Sequence, residues 1–385
     1  MRRTRYAIGA TIFLSTLLAL SCNNSYGIFK DVQGQTKESG SDVFSKTSVS
    51  SILYFPSNSN YYAATAKLYT RNVTASSWSK VSVGGTSSYI VKSVVVAGTS
   101  MYVLVGDASS NVALYSTTDG SAWTQIPIPS WLNTSDSNSE TYLDGLFSAN
   151  GQLFVVSHYF YGFKSNPNSG SSTYTLYYYS GGSFTPVNDF QGLTVTIRGV
   201  VYNSATSQYW FAAEDRVYYS LDAINSSGST WLGSPPHTVW AISYTNLSAS
   251  HVYISTYSGY LYCDTFSNGD SVSGDEPLTC VQEVPNGSGP ILVVGTEASD
   301  ISTLAEGYYE GTFGSLLIGN DNSIVASSSS IYNSTVEGFP VHCFYYDSAR
   351  QDLFICISPG TTSSSYYGLY KSHYNGSSWN GWEAE

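Results

Sequence analysis

The stretch Tyr89-Ile90-Val91-Lys92-Ser93-Val94-Val95-Val96-Ala97-Gly98-Thr99-Ser100-Met101-Tyr102-Val103-Leu104-Val105 decides the fold. It reads as two strands, Tyr89–Ala97 and Ser100–Val105, meeting at a tight turn. Downstream stand the pair Leu114-Tyr115 and, past a second turn, Trp123. The unit is strand, strand, Leu-Tyr strand, turn, aromatic strand.

The unit recurs along the chain. A Leu/Val/Ile-Tyr pair stands at Leu68-Tyr69, Leu114-Tyr115, Leu176-Tyr177, Val217-Tyr218, Leu261-Tyr262, Ile331-Tyr332 and Leu369-Tyr370. An aromatic follows most of them: Trp78, Trp123, Phe184, Trp231, Phe339 and Trp379, with none clear in the fifth repeat. Strand pairs precede them, as in Gly199–Tyr202 with Tyr209–Ala213 and Val239–Tyr244 with His251–Ser255. Steps without insertions run near 40–45 residues, the period of propeller blades. A lone four-stranded sheet leaves both faces uncovered, whereas radial stacking buries each against the next and ring closure removes the open ends. The expectation is an all-β, seven-bladed propeller of four-stranded antiparallel blades spanning residues 48–385. A weak blade around Leu292–Thr312 leaves six or eight blades open, and tandem β-sandwiches are the rival architecture.

Composition agrees. Tyr alone numbers 34, and only 11% of residues are charged. β-formers dominate over helix-forming Lys, Glu, Gln and Met. The formal charge is −12, and −15 once Arg2, Arg3 and Arg5 are removed with a leader. A chain this acidic offers no basic stripe for phosphate, which argues against nucleic acid as a partner.

That leader is residues 1–21. Met1-Arg2-Arg3-Thr4-Arg5 is basic, and Tyr6 to Leu20 is an apolar run too short for a comfortable membrane span. Leu18-Ala19-Leu20-Ser21-Cys22 resembles a lipobox, with Ala19 where Leu is usual, as in the relaxed lipoboxes of spirochaetes. Cys22 is then the lipid-attachment residue, and its acyl chains are the contact with a membrane. Residues 22–47 read as the lipidated N-terminus and a polar, flexible tether.

Four cysteines remain, an even count that in an exported protein suggests disulfides. Three pairings are open, as are four free thiols. Cys343 to Cys356 reads as a hairpin turning near Ala349–Arg350, which sets Cys343 across from Cys356. Cys263 and Cys280 would then close a loop rich in Asp, Ser and Gly.

Ser116-Thr117-Thr118-Asp119-Gly120-Ser121-Ala122-Trp123 resembles the Asp-box turn of sialidase-like propellers, one residue short between Asp119 and Trp123. Tyr219-Ser220-Leu221-Asp222 and Gly376-Ser377-Ser378-Trp379 are weaker echoes. Such turns are structural and imply no hydrolysis. Relaxed lipobox, polar tether and Ser/Tyr-rich repeats together are similar to the lipid-anchored propeller family of treponemal surface proteins. Some members of that family are adhesins for fibronectin or laminin. The resemblance implies an outer-membrane, surface-displayed monomer whose partner is a host extracellular-matrix protein. A periplasm-facing scaffold is the alternative.

Catalytic signals are thin. A sialidase needs converging arginines, and beyond the leader the chain has only Arg71, Arg198, Arg216 and Arg350. Carboxylate pairs such as Glu140 with Asp144, or Asp300 with Glu306, lack a readable separation. The five histidines fit no zinc spacing, and Asp264, Asp270 and Asp275 fit no EF-hand. No nucleophile elbow or phosphate loop occurs. The expectation is no enzyme, no cofactor and no metal.

Propellers bind through loops. Three segments exceed the repeat: Trp131–Tyr142, His158–Tyr174 and Cys263–Pro290. The run His158-Tyr159-Phe160-Tyr161-Gly162-Phe163 holds too many rings for one buried face. Tyr159, Phe160, Tyr161, Phe163 and Trp131 are the candidate ligand contacts, because Tyr and Trp anchors often dominate interfaces.

Overall fold

A computed structural model describes residues 39–40, 42–85, 89–106, 112–136, 138–162, 170–224, 230–267, 269–272, 276–297, 307–318, 339–358 and 366–385. Cys22, Phe163, Asp275, Asp300, Glu306 and the pair Ile331-Tyr332 lie outside them. The described chain forms seven antiparallel sheets. Blade 1 is Ser51–Phe55, Asn60–Ala64, Leu68–Asn72 and Trp78–Val81. Blade 2 is Ile90–Ala97, Ser100–Gly106, Val112–Thr117 and Thr124–Ile126. Blade 3 is Ser139–Ala149, Gln152–Tyr161, Ser171–Ser180 and Ser183–Pro186. Blade 4 is Ile197–Asn203, Gln208–Ala213, Arg216–Ser220 and Thr230–Gly233. Blade 5 is Val239–Thr245, His251–Thr256, Tyr260–Cys263 and Gly269–Ser271. Blade 6 is Leu278–Val284, Ile291–Thr296, Tyr308–Thr312 and Ser315–Ile318. Blade 7 is Val341–Asp347, Asp352–Ile357, Leu369–His373 and Glu383–Ala384.

The repeat is as expected except in blade 6. Its third strand carries Tyr308-Tyr309, not Ile331-Tyr332, and Phe339 packs with the core of blade 7. The region that threatened to add a blade is the middle of the sixth one. Cys263–Pro290 is likewise not one loop, since it contains the last strand of blade 5 and the first of blade 6.

First strands pack against first strands of both neighbouring blades, and that of blade 7 returns to blade 1. They therefore ring the propeller axis. Second strands are clamped between neighbouring sheets, so they read as continuous buried runs such as Leu353–Ile357. The core is a series of inter-blade layers, one holding Phe154, Val156, Leu176, Phe190 and Phe211.

The four main strands of each blade are consecutive, and two blades gain a short fifth strand: Ser39–Gly40 pairs with the last strand of blade 1, and Thr134–Ser135 with the first strand of blade 3. Residues 42–50 wedge between blades 7 and 1. Val43 and Phe44 are buried, and Phe44 meets Tyr69 and Trp78 edge-on at 5.5 and 5.1 Å. Residues ahead of 48 therefore belong to the folded domain. Lys46 N–H donates to the Tyr366 carbonyl (2.8 Å), and Gly368 N–H to that of Phe44 (2.9 Å). A Cβ on Gly368 would stand 1.8 Å from the Thr47 carbonyl oxygen, so only glycine fits there. At the other terminus, the Glu385 carboxylate reaches Arg71 (2.7 Å), Lys371 (3.3 Å) and the Trp78 indole N–H (3.2 Å).

The Asp-box-like turn behaves as a turn cap. Asp119 Oδ1 accepts from the N–H groups of Ser121 (2.8 Å) and Ala122 (2.9 Å) and from the Thr117 hydroxyl (3.0 Å). These bonds hold its carboxyl well below the usual range, the Ser121 N–H foremost. Asn58 of blade 1 then donates to the Asp119 carbonyl at 2.9 Å. Near Ser377, Asn375 caps the turn, and the Trp379 indole reaches the Pro285 carbonyl of blade 6 at 2.9 Å.

Candidate functional site

Up-and-down strands sort the loops onto two faces. Turns joining first to second and third to fourth strands share the lower face. Turns joining second to third strands, and links between blades, share the upper face. Six of the seven first strands carry a β-bulge at the same height, five residues before their lower end. The bulged residues are Lys92, Asp144, Arg198, Trp240, Thr279 and His342. A bulge adds a residue that the ladder does not pair, which frees its side chain from the packing alternation. Hence buried Val91 and Val94 stand three apart, not two, with Lys92 and Ser93 half-buried between them.

Around the axis these residues meet across blade boundaries. Arg198 is ion-paired with Glu214 and lies 4.1 Å over the Trp240 ring of blade 5. Lys92 stands 4.8 Å over the Tyr142 ring of blade 3. Glu297 of blade 6 is pushed up by burial, and only the Arg198 charge opposes that. His342 is pushed down to about 4 by burial. His158 is likewise lowered by burial, against the charges of Asp144 and Glu140. The upper end of the axis, the mouth of the ring, thus brings together charges of both signs and aromatic rings.

Blade 3 projects above this mouth. Its first three strands have 11, 10 and 10 residues, against 5–8 in the same strands of blades 1 and 2. Three or four extra residues extend it by roughly 10 Å. On that extension Tyr159 is 39% and Tyr161 56% exposed, with Trp131 at 52% and 5.5 Å from the Tyr177 ring. Pairing of Tyr159 with Thr173 and of Val155 with Tyr177 sets Tyr159 and Tyr177 on the same side of the sheet. Tyr159 and Tyr161, two apart on one strand, therefore form an exposed aromatic platform. Trp131 lies on the same side of the sheet beside Tyr177, roughly 13 Å down the strand from Tyr159. Phe160 alternates to the opposite side, half-buried over the turn at Gly170. There His158 accepts or donates to the Tyr142 hydroxyl at 2.7 Å and stacks on Tyr174 at 4.5 Å. Tyr257, 53% exposed and 5.4 Å from the Trp240 ring, adds a fourth large exposed ring to the upper face.

The four arginines beyond the leader are each held by a carboxylate: Arg71 by Glu385, Arg198 by Glu214, Arg216 by Asp215 and Arg350 by Asp347. The thiols are free. Cys343 stands opposite Cys356, as the hairpin reading requires. Cys280 feels the Cys343 thiol, while Cys263 lies with Tyr253 and Asp264 in another layer. The structure thus places Cys263 and Cys280 in different inter-blade layers.

The bulge ring was missed in the sequence, although a signal exists. Val91-Lys92-Ser93, Leu143-Asp144-Gly145, Ile197-Arg198-Gly199, Val239-Trp240-Ala241, Leu278-Thr279-Cys280 and Val341-His342-Cys343 all read apolar, variable, small.

No family model and no curated protein matches the chain. Solved structures do. The extracellular domain of a putative hybrid two-component system from B. thetaiotaomicron aligns with 86% of this chain at 14% identity and a TM-score of 0.53. The extracellular domain of a putative one-component system from the same organism gives 0.52 at 14% identity, again over 86% of this chain. The chain spans 38% of the length of each. The Dos1 propeller aligns with 88% of this chain and 81% of its own at 10% identity and 0.48. The likeness is one of fold.

Proposed function

We propose that this chain is a lipid-anchored binding protein of the outer membrane, displayed at the cell surface. It captures a protein partner on its upper face, as an adhesin for an extracellular-matrix protein such as fibronectin or laminin. The observation that carries the reading is the platform of Tyr159 and Tyr161, with Trp131 also exposed on the same side of blade 3. Large rings are left in water on a hairpin that projects beside a charged mouth. Isolated exposed apolar residues are ordinary, but clustered aromatic anchors with a polar surround are the make-up of interface hot spots. The acidic balance of the chain suits a partner with basic patches.

Solid-phase binding to fibronectin, laminin and collagen tests this. Tyr159→Ala with Tyr161→Ala should weaken a measured affinity by about 30-fold, the worth of a 2 kcal/mol hot spot. Unchanged affinity in that folded variant removes the platform from the interface. Protease treatment of intact cells should degrade the protein, and protection would instead favour a periplasm-facing scaffold.

A further inference from the structure

The lower face of blade 5 holds a second group of polar side chains, unrelated to the upper face. His251 opens the second strand, and Cys263 ends the third, with Asp264 next. Tyr253 pairs with Cys263, so the antiparallel register carries Asp264 alongside Val252 and His251. Asp264 takes a left-handed backbone, φ +57°. Its N–H donates to the Val252 carbonyl (2.9 Å), and its Oδ1 accepts the Val252 N–H (2.8 Å). With one oxygen fixed, Oδ2 faces His251 Nδ1 at 2.7 Å and Cys263 Sγ at 3.7 Å. One donor atom from each of the three residues lies within 4.8 Å of the others.

Imidazole nitrogen, thiol sulfur and carboxylate oxygen around one point are the donor set of zinc. We propose that His251, Cys263 and Asp264 form a zinc site with a fourth position open to water. With Zn–S near 2.3 Å and Zn–N and Zn–O near 2.0–2.2 Å, tetrahedral donors stand about 3.2–3.7 Å apart. The Cys263–Asp264 spacing already fits, and the His251–Asp264 contact opens by about half an ångström. The zinc replaces two hydrogen bonds with coordination bonds. The Cys263 proton leaves to solvent, and the imidazole keeps its proton on Nε2. A support is present: the Val252 N–H orients the carboxylate. His251 and Asp264 are each 38% exposed, so an ion has access. No sequence motif marks the site, because two strands supply its ligands.

Titration of the reduced protein with cobalt, followed by zinc, tests the site. Cobalt should give a thiolate-to-cobalt charge-transfer band with one ion per chain, and equimolar zinc should abolish it. Cys263→Ser should lose the band, and His251→Ala or Asp264→Asn should weaken zinc binding by about tenfold or more. Circular dichroism of each variant confirms folding. The proposal is overturned if the wild type shows no band and keeps no zinc after dialysis, or if Cys263→Ser binds as well. A Cys263–Cys280 disulfide in the protein as isolated overturns it too.

Discussion

Arg71 Nη1 lies 2.7 Å from Glu385 Oε2, and both side chains are almost fully buried, at 7% and 6% exposure. One belongs to blade 1, and the other directly follows the last strand of blade 7, so the pair locks the seam of the ring. Arg71 also lies 5.0 Å over the Trp78 ring. Removing one partner leaves a buried charge uncompensated, which costs about 3–5 kcal/mol. Glu385→Ala should therefore lower the melting temperature by several degrees. Arg71→Met with Glu385→Leu should recover much of it. Calorimetry checks both.

Gly368→Ala should loosen the same seam from its other side. The added methyl collides with the Thr47 carbonyl, and the strap of residues 42–50 must shift. The expected loss is about 1–3 kcal/mol. Limited proteolysis should cut the variant within that strap sooner than the wild type.

His342 makes stability depend on pH. Burial holds it at about 4, against an ordinary histidine value of 6.5. Between these values the unfolded chain binds the proton and the folded chain does not. Stability from this group therefore falls as pH drops from about 6.5 to about 4, and is level above 6.5. His342→Gln should flatten the curve of melting temperature against pH in that window and leave the neutral region alone.

Oxidation should discriminate among the thiols. Cys343 and Cys356 are directly opposed across two strands, and a bridge there closes a short loop, worth about 3 kcal/mol. Peptide mapping after mild oxidation should find that pair joined and Cys263 still open to alkylation. A Cys263–Cys280 peptide would contradict the register of blade 5.

The strand order and blade number were legible because burial between blades imposes the same demand seven times. Leu261-Tyr262 and Leu369-Tyr370 occupy one structural position, and their phase shows it. Blade 6 was misassigned because Tyr308-Tyr309 serves where Leu-Tyr stands elsewhere, while Ile331-Tyr332 imitates the pair. The platform was legible in part. Period-two alternation puts Tyr159 and Tyr161 together and sends Phe160 away, but only strand length shows how far they project. Arg198 and Trp240 were not legible, since a bulge residue is free to be of any type. His251 and Asp264 were hidden for a different reason, because their meeting depends on a register that no local spacing records.

The bulges carry one more consequence. Each sits outside the ladder, so its residue type is set by its neighbours across the blade boundary and not by strand pairing. Lys92, Asp144, Arg198, Trp240, Thr279 and His342 are then six dials on a fixed instrument. A substitution at one of them changes what stands around the axis at a cost set by its own partner, such as Glu214 for Arg198 or the Val341 carbonyl for Thr279, while the buried residues beside it, such as Val91 and Val341, keep the strand in place. The chemistry presented around the axis can therefore change from blade to blade while the strand ladders that carry it stay as they are.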